Sequence, residues 1–198
     1  DGSIIDKRGS GQIYQRKWYF PQVFGNLENF LSSDVFLGDV SFPKSEIIIS
    51  DKFESTSSVG SYYVIELSGV FVAPNTGTYN FYVSGDDEAT LYLSSDQHRA
   101  NLQLIASLSG CTSSVAKRKY DVCASQKSVK IALKATIKYY MVAYVRQLTG
   151  TDHLSVGVTM PDGSSMYPIS CSMFELPGDF GVASGKSIAS GGTVAVGE

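Results

Sequence analysis

A two-residue hydrophobic alternation, repeated in segment after segment, constrains this chain more than any other feature. From Tyr62 onward, Tyr63, Ile65, Leu67 and Phe71 alternate with Tyr62, Val64, Glu66 and Ser68. Successive strand residues point to opposite faces, so this pattern predicts a half-buried strand. Pro74-Asn75-Thr76-Gly77 is turn chemistry, and after it Tyr79, Phe81 and Val83 oppose Asn80, Tyr82 and Ser84. The two runs are therefore expected to form a hairpin. Ala89, Leu91 and Leu93 repeat the pattern, as do Val129, Ile131, Leu133 and Ala135 against Ser128, Lys130, Ala132 and Lys134. Tyr139, Met141, Ala143 and Val145 form the next strand, Gln147 to Asp152 a connection, and Leu154, Val156 and Val158 another strand closed by Pro161-Asp162-Gly163. Helix is confined to one short turn from Asn26 to Leu31, and the rest of Arg16 to Ser50 reads as irregular covering structure with a few edge strands. The fold class is all-β: an antiparallel β-sandwich with irregular covering loops.

With 198 residues, 43% hydrophobic and 18% charged, the chain can bury one substantial core. We place a single sandwich domain at residues 1–177. Residues 178–198 turn to Gly, Ser, Ala and Val and read as a linker or an added strand. Most of the 12 Tyr and 10 Phe residues fall on the alternating buried face, and Trp18 is expected in the core. The net charge of -3 supplies no basic footprint, which argues against nucleic acid as a partner. The one cationic cluster, Lys117-Arg118-Lys119, reads as a solvated loop face. No run reaches the about 18 apolar residues of a membrane helix, so no membrane insertion is expected in this segment. The first residues lack both an initiator Met and a leader pattern, and the chain is expected to be a piece of a larger multidomain protein.

Cys111 and Cys123 bracket a polar, turn-rich segment and are the candidate disulfide, which implies an oxidising compartment. Cys171 is then buried, paired with another chain, or a substitute for one of that pair. Neither His98 nor His153 sits in a recognisable nucleophile context, and no phosphate-cradling loop occurs, so the chain is not expected to be an enzyme.

Asp86 and Asp87 stand side by side in Phe81-Tyr-Val-Ser-Gly-Asp-Asp-Glu88. Regular strand geometry would send their carboxylates to opposite faces, so gripping one hard cation would require a kinked backbone, for which a cis peptide is one route. The plain alternative is an acidic turn between two paired strands.

Three stretches together resemble the PA14 domain: Leu67-Ser-Gly-Val-Phe-Val-Ala-Pro-Asn-Thr-Gly-Thr-Tyr-Asn-Phe-Tyr-Val-Ser-Gly-Asp-Asp87, then Gly150-Thr-Asp-His-Leu-Ser-Val156, then Pro161-Asp-Gly163. The resemblance spans roughly Ile13 to Leu176. It implies a sandwich in which Asp86 and Asp87, joined by a cis peptide, hold Ca²⁺ that chelates sugar hydroxyls. Asp152 is implied as a further side-chain ligand and Gly150 as a carbonyl ligand, with Asp86, Asp87 and Asp152 carrying carbohydrate binding. A turn aspartate capping its own loop is the plain reading of Asp152. The implied function is a calcium-dependent carbohydrate-binding module of an extracellular adhesin or cell-surface protein. A structural or protein-interaction PA14 domain, or an accessory domain of a larger enzyme, is the alternative.

Overall fold

The computed structural model describes residues 11–19, 25–33, 44–57, 59–109, 111 and 115–177. The expected linker or added strand at 178–198 lies outside the described residues. In chain order come β1 (Ile13–Tyr19), α1 (Leu27–Leu31), β2 (Lys44–Ile49), β3 (Val59–Val72), β4 (Gly77–Asp86), β5 (Glu88–Ser94) and β6 (Leu102–Ser107). Then follow β7 (Ile131–Leu133), β8 (Lys138–Thr151), β9 (His153–Thr159), β10 (Ser165–Met166) and β11 (Phe174–Glu175). One sheet runs β2-β1-β3-β8-β5-β6 with β11 added on β3, and the other runs β10-β9-β4-β7. Every described pairing is antiparallel.

The alternating sets meet between the sheets. Tyr63, Ile65, Leu67 and Phe71 of β3 and Met141, Ala143 and Val145 of β8 pack against Phe81 and Val83 of β4 and Leu154, Val156 and Val158 of β9. Each such large side chain contributes about 1.5–3 kcal/mol on burial. Phe71 anchors this layer edge-on against Tyr79 and Phe81, at centroid distances of 6.1 and 5.5 Å.

Four expectations are corrected. The runs before and after Pro74 are no hairpin: β3 pairs with β1 and β8, whereas β4 pairs with β9 and β7 in the other sheet. The turn residues carry the chain from one sheet to the other, and Phe71 and Phe81 then meet across the core between them. β3 is also not half-buried. Its second face carries Val64, which joins Trp18, Leu27, Phe30, Tyr140, Val142 and Tyr144 in another apolar cluster under α1. Finally, Ile13–Tyr19 is a full strand inside the larger sheet, between β2 and β3, and β8 continues through the expected connection to Thr151.

Helix α1 starts where Asn26 accepts a hydrogen bond from the Asn29 N–H at 2.8 Å, a side-chain cap on an otherwise orphaned donor. Leu27 and Phe30 point into the sheet. The Leu27 N–H donates to Glu88 Oε2 at 2.8 Å, and Arg146 lies 3.3 Å from the same oxygen while donating to the Gly25 carbonyl. The helix is thereby fixed to the start of β5.

Beside that cluster lies a buried ion network. Glu66 is fully buried and accepts from Arg16 at 3.1 Å, Arg99 at 3.2 Å, Tyr144 at 3.0 Å and Ser68 at 3.0 Å. Arg16 also reaches Glu46 of β2, and Arg99 also donates to Tyr140 and Tyr144. Two cations and two hydroxyls thus satisfy one carboxylate and clamp β1, β3 and β8 to the turn before β6.

Cys111 and Cys123 are bonded, with Cα atoms 6.1 Å apart, and Cys171 is buried and free. Burial and then Asp51 push the Cys171 thiol up to about 12, which leaves it an inert core residue at neutral pH.

Glu66→Gln should lower stability by about 3–5 kcal/mol at pH 7 in urea unfolding, because Arg16 and Arg99 then share a buried site without its carboxylate. Burial alone would raise the Glu66 carboxyl, but Arg99 and Arg16, helped by Tyr144 and Ser68, hold it below its ordinary 4.5. Its contribution is therefore complete above pH 4.5 and lost as pH falls toward the lower folded-state value. The gap between wild type and variant should narrow across that acid window.

Candidate functional site

Two crossovers of one residue each stand side by side at one end of the sandwich. β4 ends at Asp86, paired with His153 of β9, and β5 begins at Glu88, paired with Arg146 of β8. Asp87 alone carries the chain from the smaller sheet to the larger. In the return direction β8 ends at Thr151 and β9 begins at His153, so Asp152 alone carries it back. Asp86-Asp87 is consequently not the tip of a hairpin, since the strands it joins lie in different sheets.

The local sequence explains the tightness of the first crossover. At Gly85 an added Cβ would collide with Ala89 and lie 3.5 Å from the His153 carbonyl and Val145, so only glycine lets β4 approach β5 this closely. The Asp86–Asp87 peptide is cis. Asp87 remains tied to β8: its N–H donates to the Arg146 carbonyl at 3.2 Å, and its Oδ2 accepts from the Leu148 N–H at 2.7 Å. The carboxylate thus prolongs the ladder to β8 one step beyond the first residue of β5. Glu88 is occupied by the Leu27 N–H and Arg146, which removes it from the acidic pair.

Asp86 and Asp152 share a cavity of about 510 Å³ with Ser57, Lys117, Thr151 and His153. Asp152 is only 3% exposed. Burial raises the Asp86 carboxyl above its ordinary 3.8, and the neighbouring charges of Asp87 and Asp152 raise it further. Two crossovers therefore concentrate negative charge at one place. His153 accompanies them as a neutral imidazole: burial and Lys117 lower its proton affinity, and Nε2 lies 3.4 Å from Ser84 Oγ.

Of the residues singled out in the sequence, Asp86 and Asp152 face this cavity. The Asp87 carboxylate adjoins it but is turned to Leu148. Gly150 sits opposite Gly60 in the β3–β8 ladder with φ +100 and is not on the cavity wall. Among the described residues, no three His, Cys, Asp or Glu side chains already converge as a metal cage. The donor chemistry nevertheless fits a hard cation, because the gathered groups are carboxylate oxygens, and the Asp86 carboxyl is raised first by burial and then by its acidic neighbours.

Sequence reasoning missed Ser57, Lys117, Thr151 and His153. Lys117 and Arg118 do more than face solvent. Lys117 donates to Ser57 Oγ at 3.1 Å and lies 3.3 Å from Glu54, while Arg118 grips both Glu54 oxygens at 2.7 and 2.8 Å. Burial alone would raise the Glu54 carboxyl, but hydrogen bonding to Arg118 and the Lys117 charge hold it low. The segment ending in Cys123 is thereby fastened across the cavity rim. The signal in the sequence was the position of this cluster inside the Cys111–Cys123 loop.

Fold and site together define a two-sheet sandwich domain with an acidic recess at the point where strands change sheets. The chain belongs to the PA14 domain family, whose profile matches residues 30–170. Its structure is similar to the epithelial adhesin 6 A domain of Candida glabrata, solved in complex with Galβ1-3GlcNAc, at TM-score 0.55 and 13% identity over 85% of this chain and 88% of that one. It is similar to a PA14 sugar-binding domain from an RTX adhesin at TM-score 0.53 and 12% identity, covering 82% and 97% of the two chains. An anti-sigma factor domain-containing protein from Clostridium clariflavum shares the fold at TM-score 0.53 and 17% identity over 89% of this chain, which spans 51% of that protein.

Because the raised Asp86 carboxyl disfavours its ionised form in the folded state, stability in chelator should fall as pH rises from 3.8 through the higher folded-state value. Asp86→Asn should therefore melt above wild type at pH 7 in chelator, by no more than about 1 kcal/mol after solvent screening, and the two melts should meet in acid.

Proposed function

We propose that this domain is a calcium-dependent carbohydrate-binding module of an extracellular adhesin or cell-surface protein. The observation that carries the reading is the meeting of Asp86 and Asp152, from two separate crossovers, on one cavity beside the charge of Asp87. The carboxylates of Asp86, Asp87 and Asp152 would hold the ion; the Gly150 carbonyl, off the cavity wall, is the further ligand that the resemblance to PA14 domains implies. When bound, Ca²⁺ accepts about six to eight oxygens, so positions left over by the protein are open to neighbouring sugar hydroxyls.

The chain's own residues would orient the sugar. The Thr151 and Ser57 hydroxyls and the Lys117 ammonium line the cavity as hydrogen-bond donors, and Lys117 is held in place by Glu54. Asp87 keeps one oxygen engaged by Leu148, which fixes the carboxylate. The adhesin domain solved with Galβ1-3GlcNAc and the sugar-binding domain of the RTX adhesin support carbohydrate as the ligand class. The Cys111–Cys123 bond supports an oxidising, extracellular setting. A shallow recess of this kind gives modest affinity per site, which multivalent display on a surface multiplies.

A glycan array probed with Ca²⁺ and again with chelator tests the proposal. Capture should require Ca²⁺. Asp86→Asn with Asp87→Asn should abolish it while circular dichroism stays unchanged, and Asp152→Asn should weaken it about tenfold or more. Chelator-resistant capture on the same glycans would overturn the reading.

A further inference from the structure

We propose that the groove between β6 and β7 is a docking site for an extended, acidic strand of a partner protein. The groove holds about 860 Å³. Leu104, Ile105 and Ala106 form one wall and Val129, Ile131 and Ile137 the other. Three of these are well exposed: Leu104 at 55%, Val129 at 79% and Ile137 at 38%. Apolar side chains concentrated along one groove mark a surface that is covered in use.

The backbone decides the class of occupant. Among the described residues β6 pairs only with β5, and β7 only with β4, so each ends its sheet with an open edge. An open edge offers a row of N–H and C=O groups at the repeat of a strand, which another strand matches along its whole length and a sugar or lipid does not. The register of β6 slips at Ile105, a bulge that interrupts regular pairing there. The ladder therefore belongs to β7. The chain leading into it already follows β4, with Lys127 bridged to Tyr82, which lengthens the available edge.

Charge decides the rest. Lys127 and Lys134 line the groove and Lys130 lies between them in sequence; Lys127 sits 5.6 Å from the Tyr82 ring, and among the described residues none of the three forms an ion pair with a carboxylate. The acid on the wall, Asp96, already accepts from the Ser94 hydroxyl, the His98 N–H and the Asn101 amide. An occupant that alternates apolar and acidic residues would place one set in the groove and the other against these lysines. This surface is separate from the acidic recess: β7 pairs with the start of β4 at Gly77–Tyr79, whereas Asp86 ends that strand.

The test uses synthetic peptides of about eight residues, long enough to span the edge, with the protein in chelator so that the recess plays no part. One alternates Val with Glu, a second Val with Lys, and a third is the acidic peptide with N-methylated backbone amides. Fluorescence anisotropy should show binding of the first alone. Amide exchange should slow at Ile131 to Leu133, and Lys127→Glu with Lys134→Glu should weaken binding about tenfold or more. Val129→Asp, at an exposed position, should weaken it comparably without altering circular dichroism. Absence of binding by the acidic peptide, or equal binding of the lysine or N-methylated peptide, would overturn the proposal. So would uptake onto anionic phosphatidylserine vesicles with the same dependence on Lys127 and Lys134.

Discussion

The long ladder between β3 and β8 is the constraint on which the rest of the molecule depends. It runs from Val72 opposite Lys138 to Val59 opposite Thr151, and from Tyr63 to Phe71 and Tyr139 to Gln147 the two strands are buried on both faces. Its inner side chains build the core against the smaller sheet, and its outer ones receive α1 and the Arg16–Glu66–Arg99 network. Near the site this ladder loosens. Tyr62, at φ +59, is passed over between Ser61–Thr149 and Tyr63–Gln147, so the residue it would have faced is Leu148. The Leu148 N–H serves Asp87 on the other side of β8. An irregularity on one edge of β8 thus accompanies a carboxylate grip on the other.

How much of the fold and the recess is legible in the sequence follows from the range of each interaction. Alternation locates β3, β4, β5, β8 and β9, because burial on one face leaves a local period that can be counted. The same logic misreads Glu66 and Ser68 as a wet face. The Glu66 partners Arg16 and Arg99 lie 50 and 33 residues away, and nothing local announces that a polar side chain will be buried in an ion network. The turn at Pro74–Gly77 is visible as chemistry. Turn residues fix a reversal but do not say whether the returning strand pairs with its predecessor or crosses to a facing sheet; the long-range pairing of β3 with β8 and of β4 with β9 decides that.

The acidic pair is legible for a different reason. Adjacent carboxylates conflict with regular strand geometry, so their order in the chain is enough to mark an irregular position. Asp152 joins them only through the resemblance to PA14 domains, and the topology accounts for its place: it is the single residue between β8 and β9. Lys117 is marked only by its place inside the Cys111–Cys123 loop, which folds back onto Glu54, and Ser57, on a segment that precedes β3, leaves no mark at all.

Single-residue crossovers give this recess its chemical character. A longer loop could satisfy its own carboxylates with its own N–H groups, as Asp162 does with Ser164 in the turn after β9. One residue cannot. Asp87 draws on β8 for its donor, and the Asp86 carboxyl is raised by burial and then by the charges of Asp87 and Asp152. The short connections that bind the two sheets together are therefore what keeps negative charge concentrated at the recess, so that the acidity of that recess and the integrity of the sandwich arise from the same few residues.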